Sequence, residues 1–156
     1  MSNKYSFTIS KFIKAKREDV FEAWANPAIE SKWGCPEHCR QGPMEADVRV
    51  GGKYRNTMFD GDEEVTVFGT YLEVEPNHKL VFTSQWLGGT NPETVVTVEL
   101  KDKNGGTELI MTQSGFDSTA SAKGHEEGWA SSLNKLVTLM KDEHEKITNS
   151  ESKATN

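Results

Sequence analysis

The chain has 156 residues, of which 35% are hydrophobic, and this length and composition fit one globular domain. Its 18 Lys and Arg residues against 24 Asp and Glu give a formal charge of −6, which repels phosphate backbones and argues against nucleic acid as a partner. The apolar runs are too short for a membrane span, and residues 1–6 lack the apolar stretch of a signal peptide, so the cytoplasm is the expected compartment.

The N-terminal part of the chain predicts one strand followed by two short helices. Residues 4–14 alternate apolar and polar positions broadly in the manner of a strand. Val20 and Trp24 belong to one helical stripe, and Pro27 ends that helix and begins a second, so helix is predicted over 16–33. Residues 34–43 contain two prolines and two glycines and are predicted to form a loop.

From Met44 onward the hydrophobic period changes to two, which predicts a meander of β-hairpins. Glycine, proline and asparagine residues separate the strands, as tight turns require. The predicted strands are 44–50, 52–59, 64–75, 78–86, 93–101 and 106–113.

A long amphipathic helix is predicted over about 118–146, with Trp129 and Leu133 on its apolar face. The tail, residues 148–156, is almost free of apolar side chains and is predicted to be disordered, which leaves residues 1–147 as one domain. The order of elements predicts an α+β fold. In this fold a seven-stranded curved antiparallel sheet wraps around the long C-terminal helix, and two short helices follow strand one.

An ordered set of motifs covers about residues 5–145: Val20–Trp24 with Asn26-Pro27, Trp33-Gly34, Arg49–Tyr54, Gly69–Val74, Leu80–Phe82, Gly106–Leu109 and His125–Trp129. This set resembles the START-like (SRPBCC) superfamily, the helix-grip fold of the birch-pollen allergen. Within it, the chain is most similar to the heat-shock-protein-90 ATPase activator homologue-like family. The resemblance implies the helix-grip fold, but the superfamily includes lipid carriers, hormone binders, cyclases and co-chaperone domains. The loop Cys35–Cys39 departs from the family, whose members usually have an aromatic-rich loop there.

Cys35, His38 and Cys39 form the sharpest chemical cluster in the sequence, because thiolate and imidazole are preferred zinc ligands. Glu37 or Glu45 could supply the fourth ligand of a tetrahedral site. The spacing matches no standard zinc knuckle, however, and the sequence has no second Cys/His pair. A zinc site and a redox pair therefore stay open as alternatives to ordinary loop residues, and we expect no metal, no cofactor and no disulfide.

The sequence contains no recognisable catalytic set. His125 would need a nucleophile or a carboxylate relay, and no Gly-x-Ser-x-Gly or His-Glu-x-x-His motif occurs. Packing or hydrogen bonding near the start of the helix is its expected role. Glycine pairs such as Gly51-Gly52 are hairpin turns rather than phosphate loops, because Asp47 stands where a Walker loop needs glycine. We therefore expect a protein that is not an enzyme.

A cavity is expected between the sheet and the final helix, because a strongly curved sheet touches a straight helix poorly at its centre. A fully packed core is the alternative, and the family resemblance favours the cavity. Polar Asn56 and Gln113 on inward faces would be unusual in a dry core. The predicted ligand-binding residues are Trp33, Tyr54, Asn56, Met58, Phe68, Trp86, Met111, Gln113, Phe116, Trp129 and Leu133.

The leading functional hypothesis is a binding protein for a small apolar or amphipathic molecule, whose polar group Asn56, Gln113 and Tyr54 would orient. The resemblance implies one alternative, a module that docks on a chaperone and stimulates its ATPase. An enzyme of the superfamily, a cyclase or a hydrolase, is the second alternative and ranks last.

Overall fold

The structure is a computed structural model that describes residues 5–154, with side chains described from residue 5 to residue 143. Its elements, in chain order, are β1 (Tyr5–Ile13), α1 (Arg17–Ala25), α2 (Pro27–Glu30), β2 (Arg40–Ala46), β3 (Lys53–Asp60), β4 (Glu63–Glu75), β5 (Lys79–Trp86), β6 (Thr94–Lys103), β7 (Gly106–Phe116) and α3 (Thr119–Ala154). The predicted disorder at 148–156 concerns residues whose side chains lie outside the described part, and it stays a prediction.

The strands form one antiparallel seven-stranded sheet in the order β1-β7-β6-β5-β4-β3-β2. Strands β2 to β7 each pair with their neighbour in the chain, and β1 lies beside β7. This arrangement, with two short helices after β1 and the long α3 at the end, confirms the predicted α+β helix-grip fold. At the β6–β7 hairpin, Asn104 and Gly105 both have positive φ, as the tightest hairpin turns require.

One strand differs from its prediction. β2 begins at Arg40, inside the predicted loop, and ends at Ala46 rather than at residue 50. Its pairing with β3 shifts register between Gln41 and Met44, so the chain accommodates Gly42 and Pro43 in a bulge. Proline is tolerated there because β2 is an edge strand, whose outer backbone groups need no ladder partner.

The three helices cover one face of the sheet unevenly. α3 packs mainly against β1, with fewer contacts to β7, while α1 packs against β6 and β7, and α2 packs against β2. Ser118 caps α3, because its Oγ accepts a hydrogen bond from the Ser121 N–H at 3.1 Å. Since α3 is anchored at the β1 edge of a curved sheet, space remains over β3, β4 and β5. Within the described part of the chain, no helix is both long enough and apolar enough to cross a bilayer.

Candidate functional site

A cavity of about 540 Å³ lies between the inner face of the sheet and α3. Alternate residues of β3, β4 and β5 form its floor, and the α1–α2 segment and α3 form its walls. Apolar and aromatic side chains make up most of its lining. The cavity reaches the protein surface at His38 and Asp60, which are exposed. The predicted site residues that line the cavity are Trp33, Tyr54, Asn56, Met58, Trp86, Gln113 and Trp129.

The remaining predicted site residues lie elsewhere. Phe68 is 36% exposed, because its neighbours Val67 and Gly69 take the inward positions of β4 and strand alternation turns Phe68 outward. Met111, Phe116 and Leu133 belong to the packed core rather than to the cavity lining. Sequence periodicity placed these three on the inner side, but it could not show that this part of the interior is filled.

The two inward amides are already satisfied by the protein. The Gln113 amide nitrogen donates to Thr94 Oγ1 at 2.9 Å, and its oxygen accepts from Trp129 Nε1 at 2.9 Å. Asn56 Oδ1 accepts a hydrogen bond from the Gln41 side chain. Gln113 therefore joins β7 to β6 and α3, and these partners account for polar residues on an inward face without any ligand.

His125 contributes a second polar link across the cavity wall. Its Nε2 accepts a hydrogen bond from Trp86 Nε1 at 2.9 Å, and its Nδ1 donates to the Ser121 carbonyl oxygen at 2.8 Å. Both ring nitrogens are engaged in joining β5 to α3. This geometry agrees with the hydrogen-bonding role expected for His125 near the helix start.

Trp24 carries a polar atom that lacks a partner. The residue is 3% exposed and lines the cavity, yet its Nε1 has no hydrogen-bond partner among the described residues. Its ring stacks on Trp129 at 5.7 Å between centroids and meets Trp33 edge-on at 4.7 Å. In contrast, Trp33 Nε1 donates to the Ala23 carbonyl oxygen at 3.1 Å. A buried unpaired donor is costly, and the Trp24 N–H has almost no surface that an acceptor in the cavity could reach.

Glu30 is the cavity residue that sequence reasoning missed. The residue as a whole is half-buried, because α2 lies at the surface, but its carboxyl group lies in the cavity lining, and burial raises its pKa from 4.5 to about 8. Burial raises the pKa of Tyr54 and of Tyr71, and the nearby Glu30 charge raises both further. No local sequence pattern distinguishes Glu30 from a surface acid, since its burial depends on how α2 closes over the sheet.

The cysteine-containing loop lies at the surface end of the cavity. His38, Cys39 and Asp60 each offer one donor atom, and these atoms lie within 4.8 Å of one another. The acidic residue that clusters with the loop is therefore Asp60, not Glu37 or Glu45. Cys35 is buried, and its Sγ contacts the Cys39 carbonyl oxygen at 3.6 Å. Both thiols are free, and burial, followed by the negative charge of Asp60, raises the pKa of Cys39.

The fold and the cavity define a protein of the START-like, helix-grip class. The sequence profile of the family described as Activator of Hsp90 ATPase homolog 1-like protein matches residues 14–141, so the chain belongs to this family. A search of curated protein sequences gave no match.

Solved structures agree with this assignment. Protein CV1439 from Chromobacterium violaceum is 25% identical, with a TM-score of 0.81 over 86% of this chain and 96% of that one. Protein Mll3558 from Rhizobium loti is 28% identical, with a TM-score of 0.74 over 88% and 98%. The AHSA1 protein SPO3351 from Silicibacter pomeroyi is 23% identical, with a TM-score of 0.79 over 90% and 100%, which supports the fold alone.

Proposed function

We propose that the protein binds a small apolar or amphipathic molecule in the cavity between the sheet and α3. The observation that carries this proposal is the cavity itself, which has a volume of about 540 Å³, is lined mostly by apolar and aromatic side chains, and has a size suited to a small molecule. The aromatic lining gains free energy when apolar ligand surface replaces water, at roughly 25 cal/mol per Å² before the costs of association.

The observed hydrogen bonds reduce the set of residues that are available to orient the polar group of a ligand. Gln113 and Asn56 make their hydrogen bonds to Thr94, Trp129 and Gln41, so Glu30 replaces them as the polar anchor. The Tyr54 hydroxyl donates to the Thr83 carbonyl oxygen at 2.6 Å, which leaves its ring face as the main surface offered to a ligand.

A neutral environment-sensitive probe, N-phenyl-1-naphthylamine, tests the proposal with the purified full-length protein. We expect saturable binding of one probe per chain, with a blue-shifted emission. Val67 faces the cavity and Phe68 faces outward on the same strand, so these adjacent residues give a matched pair. Val67→Trp should fill the cavity and abolish binding, whereas Phe68→Trp should leave binding unchanged. No saturable binding to the unaltered protein, or equal binding to both variants, would overturn the proposal.

Family membership favours a second candidate function, in which the chain docks on an Hsp90-type chaperone and stimulates its ATPase. The family description supports this candidate, whereas the apolar cavity supports ligand binding. We therefore rank ligand binding first, and steady-state ATP hydrolysis by the chaperone distinguishes the two. Catalysis remains the lowest-ranked alternative, because His125 has both nitrogens engaged.

A further inference from the structure

The carboxyl groups in the cavity lining are not matched by basic side chains among residues 5–143. Glu30 and Asp60 contribute carboxyl groups, and no Lys or Arg lines the cavity among residues 5–143. Lys135 lies near the loop, but its ammonium is bonded to the Cys35 carbonyl oxygen at 2.9 Å. Both ring nitrogens of His125 are engaged in hydrogen bonds with Trp86 and Ser121. An anionic ligand would therefore meet carboxyl groups without a compensating cation.

Glu30 has no fixed partner of its own in the cavity. Within the described part of the chain, its carboxyl group forms no hydrogen bond or ion pair, although its charge acts on the phenols of Tyr54 and Tyr71. A buried carboxylate is stable only when a cation or several donors compensate for the lost hydration. Burial keeps this group largely protonated at neutral pH, and a positively charged ligand would supply the missing partner.

Aromatic rings surround the same corner of the cavity. Tyr54, Tyr71 and Phe82 form one cluster, with centroids 5.6 Å apart for the tyrosines and 5.4 Å and 5.9 Å from each tyrosine to Phe82. The faces of aromatic rings attract cations, most strongly in sites shielded from water, and aromatic cages recognise quaternary ammonium groups in this way. When ionised, a carboxylate beside such rings adds the attraction of a full negative charge to the attraction that the ring faces exert on a cation.

We propose, as an extension of the binding function above, that the cavity selects apolar molecules that carry a positively charged nitrogen. The ammonium group lies between the Glu30 carboxylate and the rings of Tyr54 and Tyr71, and the apolar body extends along β3 to β5. Binding ionises Glu30, so close to one proton leaves the protein for each ligand bound near neutral pH. The affinity for a permanently charged amine therefore rises as the pH increases toward about 8.

Three probes with the same ten-carbon chain test this specificity by isothermal titration calorimetry, below their micelle concentrations. They are decyltrimethylammonium, decanol and decanoate. We expect the cation to bind at least about ten-fold more tightly than decanoate at about pH 8.5, with decanol between them. The affinity of the cation should rise at least about ten-fold from about pH 6 to pH 8.5. The quaternary nitrogen does not titrate, so the change reports the protein.

Several titratable groups lie near this corner of the cavity, and substitutions distinguish their contributions to the pH dependence of binding. Tyr54 of β3 and Tyr71 of β4 stay neutral because their pKa values are raised, and Asp47 acts on Tyr71 from the β2–β3 connection. The other titratable residues of the lining are His38, Cys39, Asp60 and His125. Glu30→Gln should remove the pH dependence of cation binding and lower the affinity for the cation at least about ten-fold at pH 8.5. The affinity for decanol should not change. Glu37→Gln, the matched control, removes an exposed carboxyl group that does not line the cavity, and it should change affinity by less than about two-fold.

The outcomes separate the two proposals. The charge selectivity would be overturned if decanoate bound as tightly as the cation, or if the affinity of the unaltered protein for the cation were independent of pH. Saturable binding of decanol would uphold the ligand-binding function in either case. Absence of saturable binding by all three probes would overturn both. Because the pH series uses the unaltered protein, it decides the question even if Glu30→Gln fails to fold.

Discussion

Glu30 carries its carboxyl group inside the cavity, and this position links the stability of the protein to pH. The folded state holds the Glu30 proton up to about pH 8, whereas the unfolded state releases it near 4.5. Between these values the folded state binds more protons, so the stabilising contribution is complete below 4.5 and is lost as pH rises through about 8. Glu30→Gln should therefore flatten the decline in the free energy of unfolding between pH 5 and pH 8, by a few kcal/mol.

Urea unfolding at several pH values measures this effect. Asp60→Asn is the control, because it removes a carboxyl group that is exposed to solvent, and it should leave the slope unaltered. Parallel pH profiles for the unaltered protein and Glu30→Gln would show that the Glu30 carboxyl is not buried.

The stability of a Trp129→Ala variant tests whether the cavity is open. In a filled core, Trp129→Ala should cost about 3–5 kcal/mol of unfolding free energy. Trp129 instead has one side against the cavity, and that side has no packed neighbour to lose, so we expect a loss below about 3 kcal/mol. Water entering the cavity can replace its hydrogen bond to Gln113. Chemical denaturation measures the loss, and a value in the full range would show a filled core.

The loop cluster leads to a prediction about metal content. His38, Cys39 and Asp60 supply three donors, two of them on exposed side chains, and the Cys35 thiol is directed to a backbone carbonyl. A structural zinc site needs four ligands, so we expect well under one zinc per chain in protein purified without chelator. Elemental analysis gives the answer. Near-stoichiometric zinc that disappears in Cys39→Ser would establish a metal site.

At the level of the elements, two glycines make opposite contributions. Gly124 lies within α3, and a Cβ added there meets no atom within 4 Å. Gly124→Ala should stabilise the protein by about 0.5–1 kcal/mol, because alanine is the better helix former. Gly69 lies in β4, where an added Cβ would be 1.9 Å from the Thr83 carbonyl oxygen. Gly69→Ala should therefore destabilise the sheet, and the thermal midpoints of the two variants should move in opposite directions.

The elements were predictable where one local signal dominates. Turn residues such as Asn104 and Gly105 fix the hairpins, and the apolar stripe of α3 fixes the final helix. The start of β2 was placed too late, at residue 44, because Gly42 and Pro43 are loop signals that a bulge on an edge strand accommodates. The site was predictable as far as alternation reaches, which covers the inward residues of β3. The position of Glu30 in the lining depends on how α2 closes over the sheet, which no local period encodes.

For the whole molecule, the interior location of the site predicts little effect on a chaperone. The proposed ligand contacts lie inside the fold, so they offer no surface to a large partner. Adding the protein to an Hsp90-type chaperone should leave steady-state ATP hydrolysis nearly unchanged. Heat-denatured protein serves as the control for nonspecific effects. Stimulation of several-fold that saturates with concentration would make chaperone activation the primary function.

The pairing of β1 with β7 determines when the molecule is completed during its synthesis. Thr8 and Thr112 meet across these strands although they are 104 positions apart in the chain. The hairpins from β2 to β7 can close between neighbours as the chain leaves the ribosome, whereas β1 emerges first and waits for the last strand. Because α3 packs on β1 and is translated after every strand of the sheet, the cavity gains its final wall only after α3 has left the ribosome. A nascent chain that still lacks α3 therefore has no finished site with which to capture a ligand.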